Sequence, residues 1–251
     1  MSFKIISQNV MCHGHIGKSS YRIRRPILKS VFRNHGADII AMQEATPLWK
    51  LIFSNDLRDF DNVFAYRGKK DKEAVAVYWK RNRFNAIESG YFWLSPTPEI
   101  ESIGWDAKNK RIACWALLRD KTTNKQFAVI NTHLDHIGKK AQINGIKTIL
   151  NFIRTKFKNS IPIVLTGDFN SQPRSEVLKC VSEFLHDSRS EAKVSSDEIT
   201  FHGYGVTTPA VIDYIYLTKN ISCSKFKIIK EFDKKGRTQS DHCGVFAEIN
   251  I

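Results

Sequence analysis

Apolar positions along the chain follow two rhythms. FKIISQNV at 3–10 alternates as a strand does. In SSYRIRRPILKSVFRNH at 19–35, Ile23, Ile27, Leu28, Val31 and Phe32 recur at helical spacing. Serine stands at its start and Gly36 past its end, so a helix is predicted; Pro26 falls near the first turns, where proline is tolerated or kinks the helix. ADIIAMQE at 37–44 reads as a short buried strand. TPLWKLIFSNDL at 46–57 opens a helix, with Thr46 as N-cap and Pro47 at the first helical position. AVAVYWK, FNAIESGYFWL, RIACWALLRD and QFAVINTHL read as strands, with DKTTNK turning between the last two. KKAQINGIKTILNFIRTKF at 139–157 is an amphipathic helix. The strand IPIVLTGD, the helix SEVLKCVSEFL and the strands VIDYIYL, KFKIIKEF and CGVFAEINI follow. Some strands are joined by tight turns and others by helices. That mixture predicts an α/β fold with two mixed sheets packed face to face and helices outside, in one domain over residues 1–251. Residues 95–110 and 203–210 read as long surface loops.

Polar residues stand where several apolar runs end. Asn9 closes the first strand, Gln43 and Glu44 the second. Asn131, His133 and Asp135 close FAVINTHLDH, and Asp168 and Asn170 close IVLTGDFN. Asp213 opens DYIYL, and Asp241 and His242 precede the last strand. Residues two apart on a strand share a face, so where the strand continues that far Asp168 and Asn170 are expected to point together, as are His133 and Asp135. His133 and His136, three apart, are expected on opposite faces, which argues against a two-histidine zinc site. Each residue alone has an ordinary reading as a turn-former or a helix cap. As a set, converging carboxylates repel one another, and convergence implies a bound cation. Oxygen ligands favour Mg²⁺ or Mn²⁺ over zinc. Two nearby histidines suit proton transfer or contact with a phosphate.

Composition narrows the class. At 42% hydrophobic and 11% aromatic the chain has the material for a packed core, which excludes a disordered chain. A net charge of +14 points to a polyanionic partner, yet the lysines are spread along the chain and form no single basic helix. Five scattered cysteines, never spaced CxxC, predict reduced thiols in a cytoplasmic protein. MSFKIISQNV has neither a basic n-region nor a long apolar core, so no signal peptide is expected. No apolar run is long enough to span a bilayer, and no stable membrane association is expected. Nothing in the sequence points to a protein partner.

SQN at 7–9, MQE at 42–44, NTHLDH at 131–136, LTGDFN at 165–170, IDYIYL at 212–217 and SDH at 240–242 occur in that order over nearly the whole chain. Together they resemble the endonuclease/exonuclease/phosphatase superfamily, with its deoxyribonuclease-like fold. FWLS at 92–95, GWD at 104–106, RIACWA at 111–116 and TFHG at 200–203 look like a compact bacterial subgroup. The resemblance implies a four-layer α/β sandwich with the site at one edge of the sheets. It also implies roles. Glu44 would bind the metal, with Asn9 as a ligand or as partner to one, and Asp241 would be a further ligand. Asp168 would orient or deprotonate the attacking water, and Asn170 would bond a phosphate oxygen. His133 would donate to the scissile phosphate. His242, oriented by Asp213, would stabilise developing charge or act as the acid-base group.

Abasic-site endonucleases carry tyrosine where this chain has His133, which points away from that branch. Where many relatives follow SDH with an aromatic and a proline, Cys243 and Gly244 stand here. Arg111, His202, Trp105, Asp106 and Asp135 form a second tier of substrate-contact candidates beside the site. The expected activity is Mg²⁺- or Mn²⁺-dependent hydrolysis of a phosphoester, with nucleic acid as substrate. The alternative is a small-molecule or lipid head-group phosphate: a sugar phosphate, an inositol phosphate or a sphingomyelin-like lipid. A non-enzymatic binding module would be expected to have lost one of Glu44, Asp168 or His242, and all three are present.

Overall fold

The computed structural model describes residues 1–12, 17–158, 160–192 and 198–251. Among these residues twelve strands form two six-stranded sheets. In the first sheet the strands are β1 (Ser2–Asn9), β2 (Ile39–Ala45), β3 (Phe60–Tyr66), β4 (Ala74–Lys80), β11 (Ser222–Ile229) and β12 (Gly244–Asn250), in the order β11-β12-β1-β2-β4-β3. In the second they are β5 (Phe84–Trp93), β6 (Ile112–Asp120), β7 (Gln126–His133), β8 (Ile163–Asp168), β9 (His186–Asp187) and β10 (Asp213–Leu217), in the order β5-β6-β7-β8-β10-β9. Both sheets follow one plan. A central parallel pair, β1–β2 or β7–β8, is flanked on each side by antiparallel strands. Parallel neighbours need a crossover, supplied by α1 (Tyr21–Asn34) in one sheet and α3 (Lys139–Phe157) in the other. The shorter helices are α2 (Pro47–Asp56), α4 (Glu176–Ser182) and α5 (Ser188–Glu191).

Three apolar layers result. Phe3, Ile5, Val77, Leu118, Val129 and Val245 fill the space between the sheets. Ile146, Ile149, Leu150 and Ile153 of α3 pack on the outer face of the second sheet, and Leu28, Val31 and Phe32 of α1 on that of the first. Strands covered on both faces need apolar residues at nearly every position, and β8 is buried along its whole length. Local chemistry fixes the helix starts. Thr46 accepts the Trp49 N–H at 3.4 Å, whereas α3 begins at Gly138 with no side-chain cap of its own.

Two departures from the sequence reading bear on the site. FDNVFAY is strand β3, unmarked in the pattern because Asp61 and Asn62 interrupt the apolar run at the sheet edge. Regular strand geometry also stops at His133 and Asp168, so alternation does not carry to the residues beyond them. Asn170 has φ +46° and its N–H donates to Asp168 Oδ1 at 2.9 Å, a tight turn that redirects the chain.

Candidate active site

One edge of the sandwich collects the polar strand ends. Parallel strands bring their C-terminal ends there: Asn9 on β1, Glu44 on β2, His133 on β7 and Asp168 on β8. An antiparallel neighbour begins where its partner ends. The same edge therefore receives Glu73 before β4, Arg111 before β6, Asp213 at the start of β10 and His242 before β12. Gln43 and Asn131 tie the two sheets behind this edge. The Gln43 amide donates to Asn131 Oδ1 at 2.7 Å, and the Asn131 amide donates to the Met42 and Ala76 carbonyls. Such buried, paired amides are worth about 1 kcal/mol per bond and cost more when one partner is removed.

Asp168 is the hub. Its Oδ2 accepts the Asn9 amide at 3.1 Å and lies 3.5 Å from His133 Nε2 and 3.7 Å from His242 Nε2. Gly167 makes this approach possible. It has φ +143°, and a Cβ there would stand 2.0 Å from the Thr132 carbonyl oxygen, so no other residue fits between β7 and β8. The Asn9 amide also donates to Glu44 Oε1 at 3.1 Å, while Asn9 Oδ1 accepts the Met11 N–H. Asn9 thus turns its donor to both acids. Glu44 sits at a break in the β2–β4 register with φ +56°, a conformation that costs about 1–3 kcal/mol in a non-glycine residue. Burial opposes its charge, but His133 and the Cys12 N–H outweigh that and hold the carboxyl well below the usual range.

Each imidazole is backed by a second acid. His242 Nδ1 is 2.9 Å from Asp213 Oδ2. Burial disfavours the imidazolium, yet Asp213, Asp168 and Asp241 together prevail, and its pKa is pushed up to about 10. Thr200 fixes this pair from behind: its hydroxyl accepts the Asp213 N–H and its carbonyl accepts the Cys243 N–H. His133 Nδ1 lies 3.4 Å from Glu73 Oε1. Glu73 also pairs with Arg67 at 2.6 Å and Arg111 at 3.4 Å. Burial opposes its ionisation, and His133 overcomes this and lowers its pKa.

Glu44, Glu73, Arg111, His133, Asp168 and His242 line a cavity of about 480 Å³ with Cys12, Arg67, Lys108, Asn109, His136, Asn170 and Asp241. Glu73, Arg67 and His136 are absent from the sequence-derived set. His136 is not turned away from His133 as strand alternation predicted, because the strand ends first; both face the cavity, and Arg111 Nη2 is 3.1 Å from His136 Nδ1. Burial and Arg111 lower the His136 pKa.

Of the second-tier residues, only Arg111 lines the cavity. Asp135 spends its carboxylate on the N–H groups of Ile137, Gly138 and Asn109. Those bonds overcome burial and lower its pKa to about 2. With Asp135 Oδ2 3.6 Å from Arg111 Nε, it positions the guanidinium. Asp106 accepts the Ala141 N–H at 2.7 Å and the Lys140 N–H at 3.3 Å, supplying from a distant loop the cap that α3 lacks. Trp105 is half-exposed on that loop, and His202 lines a separate cavity.

The cavity offers oxygen donors of the kind a hard divalent cation takes. Glu44, Asp168 and Asp241 present carboxylates to one cavity, and the Asn9 amide holds two of them side by side. Among the described residues it is Asp168, Asp213 and His242 that bring one donor atom each within 4.8 Å of one another. In that trio the His242–Asp213 bond already engages Nδ1, which leaves Asp168 as the outward-facing oxygen donor. Among the described residues no helix is long and apolar enough to cross a membrane.

Residues 27–242 match the sequence model of the Endonuclease/Exonuclease/phosphatase family. An endonuclease/exonuclease/phosphatase from Bacteroides vulgatus superposes with a TM-score of 0.93 at 25% identity, covering 100% of this chain and 99% of that one. A mannosyl-6-phosphatase of Bacteroides thetaiotaomicron superposes with a TM-score of 0.89 at 27% identity, over 99% of this chain and 100% of that one. The Ccr4 3'-5'-exoribonuclease subunit of the CCR4-Not complex in Aspergillus niger is 22% identical over 98% of this chain, which spans only 51% of that protein. With most of its length matched and both sheets shared with these structures, the chain belongs to the endonuclease/exonuclease/phosphatase family of phosphoester hydrolases.

Proposed function

We propose that this protein is a divalent-cation-dependent phosphatase acting on a small polar phosphomonoester, a sugar phosphate being the model substrate. The observation that carries the choice is the cluster of cations on the His133 side of the cavity: Arg67, Lys108 and Arg111. Arg111 is buried, and its Nε, ion-paired with Asp135 at 3.6 Å, makes no hydrogen bond among the described residues. A terminal phosphate carries more charge than a diester and exposes more oxygens, so it profits most from such donors. A cavity of about 480 Å³ suits a small ligand. The likeness to a mannosyl-6-phosphatase over the whole chain supports the same reading.

Glu44 and Asp241 would hold Mg²⁺ or Mn²⁺, with the Asn9 amide holding Glu44 beside Asp168. The ion would neutralise phosphate charge and polarise a phosphoryl oxygen. Asp168 would take a proton from the water that attacks phosphorus as the ester P–O bond breaks. His242, kept protonated by Asp213, would bond a phosphoryl oxygen or give its proton to the departing alcohol. His133 and Asn170 would bond further phosphate oxygens, and Arg111 would clamp the terminal ones.

Nucleic acid is the second reading, favoured by the net charge of +14 and by the Ccr4 relative. One panel separates the two: a hexose 6-phosphate, p-nitrophenyl phosphate, its bis-ester, RNA and plasmid DNA, each with Mg²⁺, Mn²⁺ or EDTA. Metal-dependent release of inorganic phosphate from the monoesters, faster than cleavage of the diesters, is expected. Preferential cleavage of RNA, DNA or the bis-ester would replace the phosphatase with a phosphodiesterase.

A further inference from the structure

A second cavity, of about 550 Å³, has Ser19, His202, Tyr204, Lys230, Phe232 and Arg237 among its lining residues. One short segment joins it to the catalytic groups. The Phe201 ring lies 4.7 Å from the His242 imidazole, and the N–H groups of His202 and Gly203 donate to the Asp241 carbonyl at 3.0 and 3.2 Å. Phe201 lines the first cavity and its chain neighbour His202 the second, so the two cavities adjoin at this segment.

The lining has the chemistry of a charged ring site. Tyr204 is held at φ +52° between Gly203 at +52° and Gly205 at +77°. Glycine would serve that backbone at lower cost, so the ring is kept against local preference. Tyr204 and Phe232 remain 39% and 54% exposed and leave aromatic surface unspent on the core. Aromatic faces of this kind take planar bases or the apolar faces of sugars. Lys230 Nζ stands 5.7 Å from the Phe232 ring centre, and no carboxylate among the described residues pairs with it. Arg237, by contrast, is engaged by Asp233 at 2.6 Å. His202 Nδ1 accepts the Tyr204 N–H at 3.2 Å, so a neutral ring carries its proton on Nε2 as a donor.

We propose that this cavity binds a second anionic group carried on a ring, so that the preferred substrates are bisphosphates with one phosphate in each cavity. The ring can be a sugar or a nucleoside, since both share this chemistry. The assignment rests on the phosphatase reading only for what occupies the first cavity.

Calorimetric binding with Mg²⁺ in an Asp168→Asn background, which needs no turnover, tests it. The probes are a hexose bisphosphate and a nucleoside bisphosphate, each beside its monophosphate. At least one bisphosphate should bind about tenfold or more tightly than its monophosphate, the gain of one charge-assisted contact. Lys230→Ala should erase that advantage and leave monophosphate binding unchanged. Tyr204→Ala should weaken the same bisphosphate, the nucleoside one more if a base occupies the cavity and the hexose one more if a sugar does. An unchanged bisphosphate affinity in Lys230→Ala, or an equal loss for the monophosphate, overturns the proposal. Turnover of p-nitrophenyl phosphate by wild type and Lys230→Ala, expected to be equal, reports on the phosphatase reading separately. If neither protein hydrolyses it, that reading fails while the binding result stands.

Discussion

The two imidazole–carboxylate pairs flanking Asp168 look alike and are built differently. On one side His242 and Asp213 stand 2.9 Å apart, deeply buried, with Thr200 bonding the backbone at Asp213 and Cys243 and no arginine among the described residues paired with either. On the other, His133 and Glu73 stand 3.4 Å apart, and Glu73 divides its charge between His133, Arg67 and Arg111. An acid devoted to one histidine raises that histidine's proton affinity; an acid shared with two guanidiniums instead holds a cationic wall in place. The first pair is suited to keeping a proton at the phosphate, and the second to arranging the groups that bind it.

Removing what the two sides share should cost most. Asp168→Ala is expected to lower kcat about 10³-fold or more, because both imidazoles lose the acid between them and the water loses its base; steady-state phosphate release checks this. Asp213→Asn should cost about 10²-fold, mainly in kcat. Glu73→Gln should cost about tenfold and move KM as well, since Arg67 and Arg111 are freed to meet the phosphate. An equal kcat loss in the two acid variants, with KM unmoved, would erase the distinction.

Stability should show the same asymmetry. The folded-state pKa of His242 is raised from 6.5 to about 10. Its stabilising contribution is therefore fully present below about 6.5 and lost as pH rises through about 10. In EDTA, urea unfolding of wild type and His242→Ala should differ more at pH 6 than at pH 10. The smallest effect is expected outside both pairs: Asp106→Ala should cost about 1 kcal/mol of unfolding free energy as α3 loses its cap, with kcat unchanged.

Legibility in the sequence followed the same divide. Asn9, Glu44, His133, Asp168, Asp213 and His242 each close or open an apolar run, and the structure brings all of them to one edge. Glu73 escaped notice because it sits in the lysine-rich KKDKEAVAV, where an acid reads as a solvated loop residue. The signal for it was topological: β4 runs antiparallel to β2, so the residue before β4 lies at the edge where β2 ends with Glu44. Asp135 and His136, past the end of β7, were misplaced for one reason. Alternation holds only while the backbone stays extended, and it stops at His133 and Asp168. Asp106 and Asp135 drew attention as polar residues near the site, but their carboxylates are taken up by backbone N–H groups that no local pattern reveals.

The pH dependence of Mg²⁺-dependent hydrolysis of one phosphomonoester by wild type, Asp213→Asn and Glu73→Gln tests the account most directly. Wild type and Glu73→Gln should hold their rate well into the alkaline range. Asp213→Asn should lose its alkaline limb toward neutrality as His242 returns to an ordinary pKa. Equal shifts in both variants, or no metal-dependent hydrolysis of the ester by wild type, would contradict it.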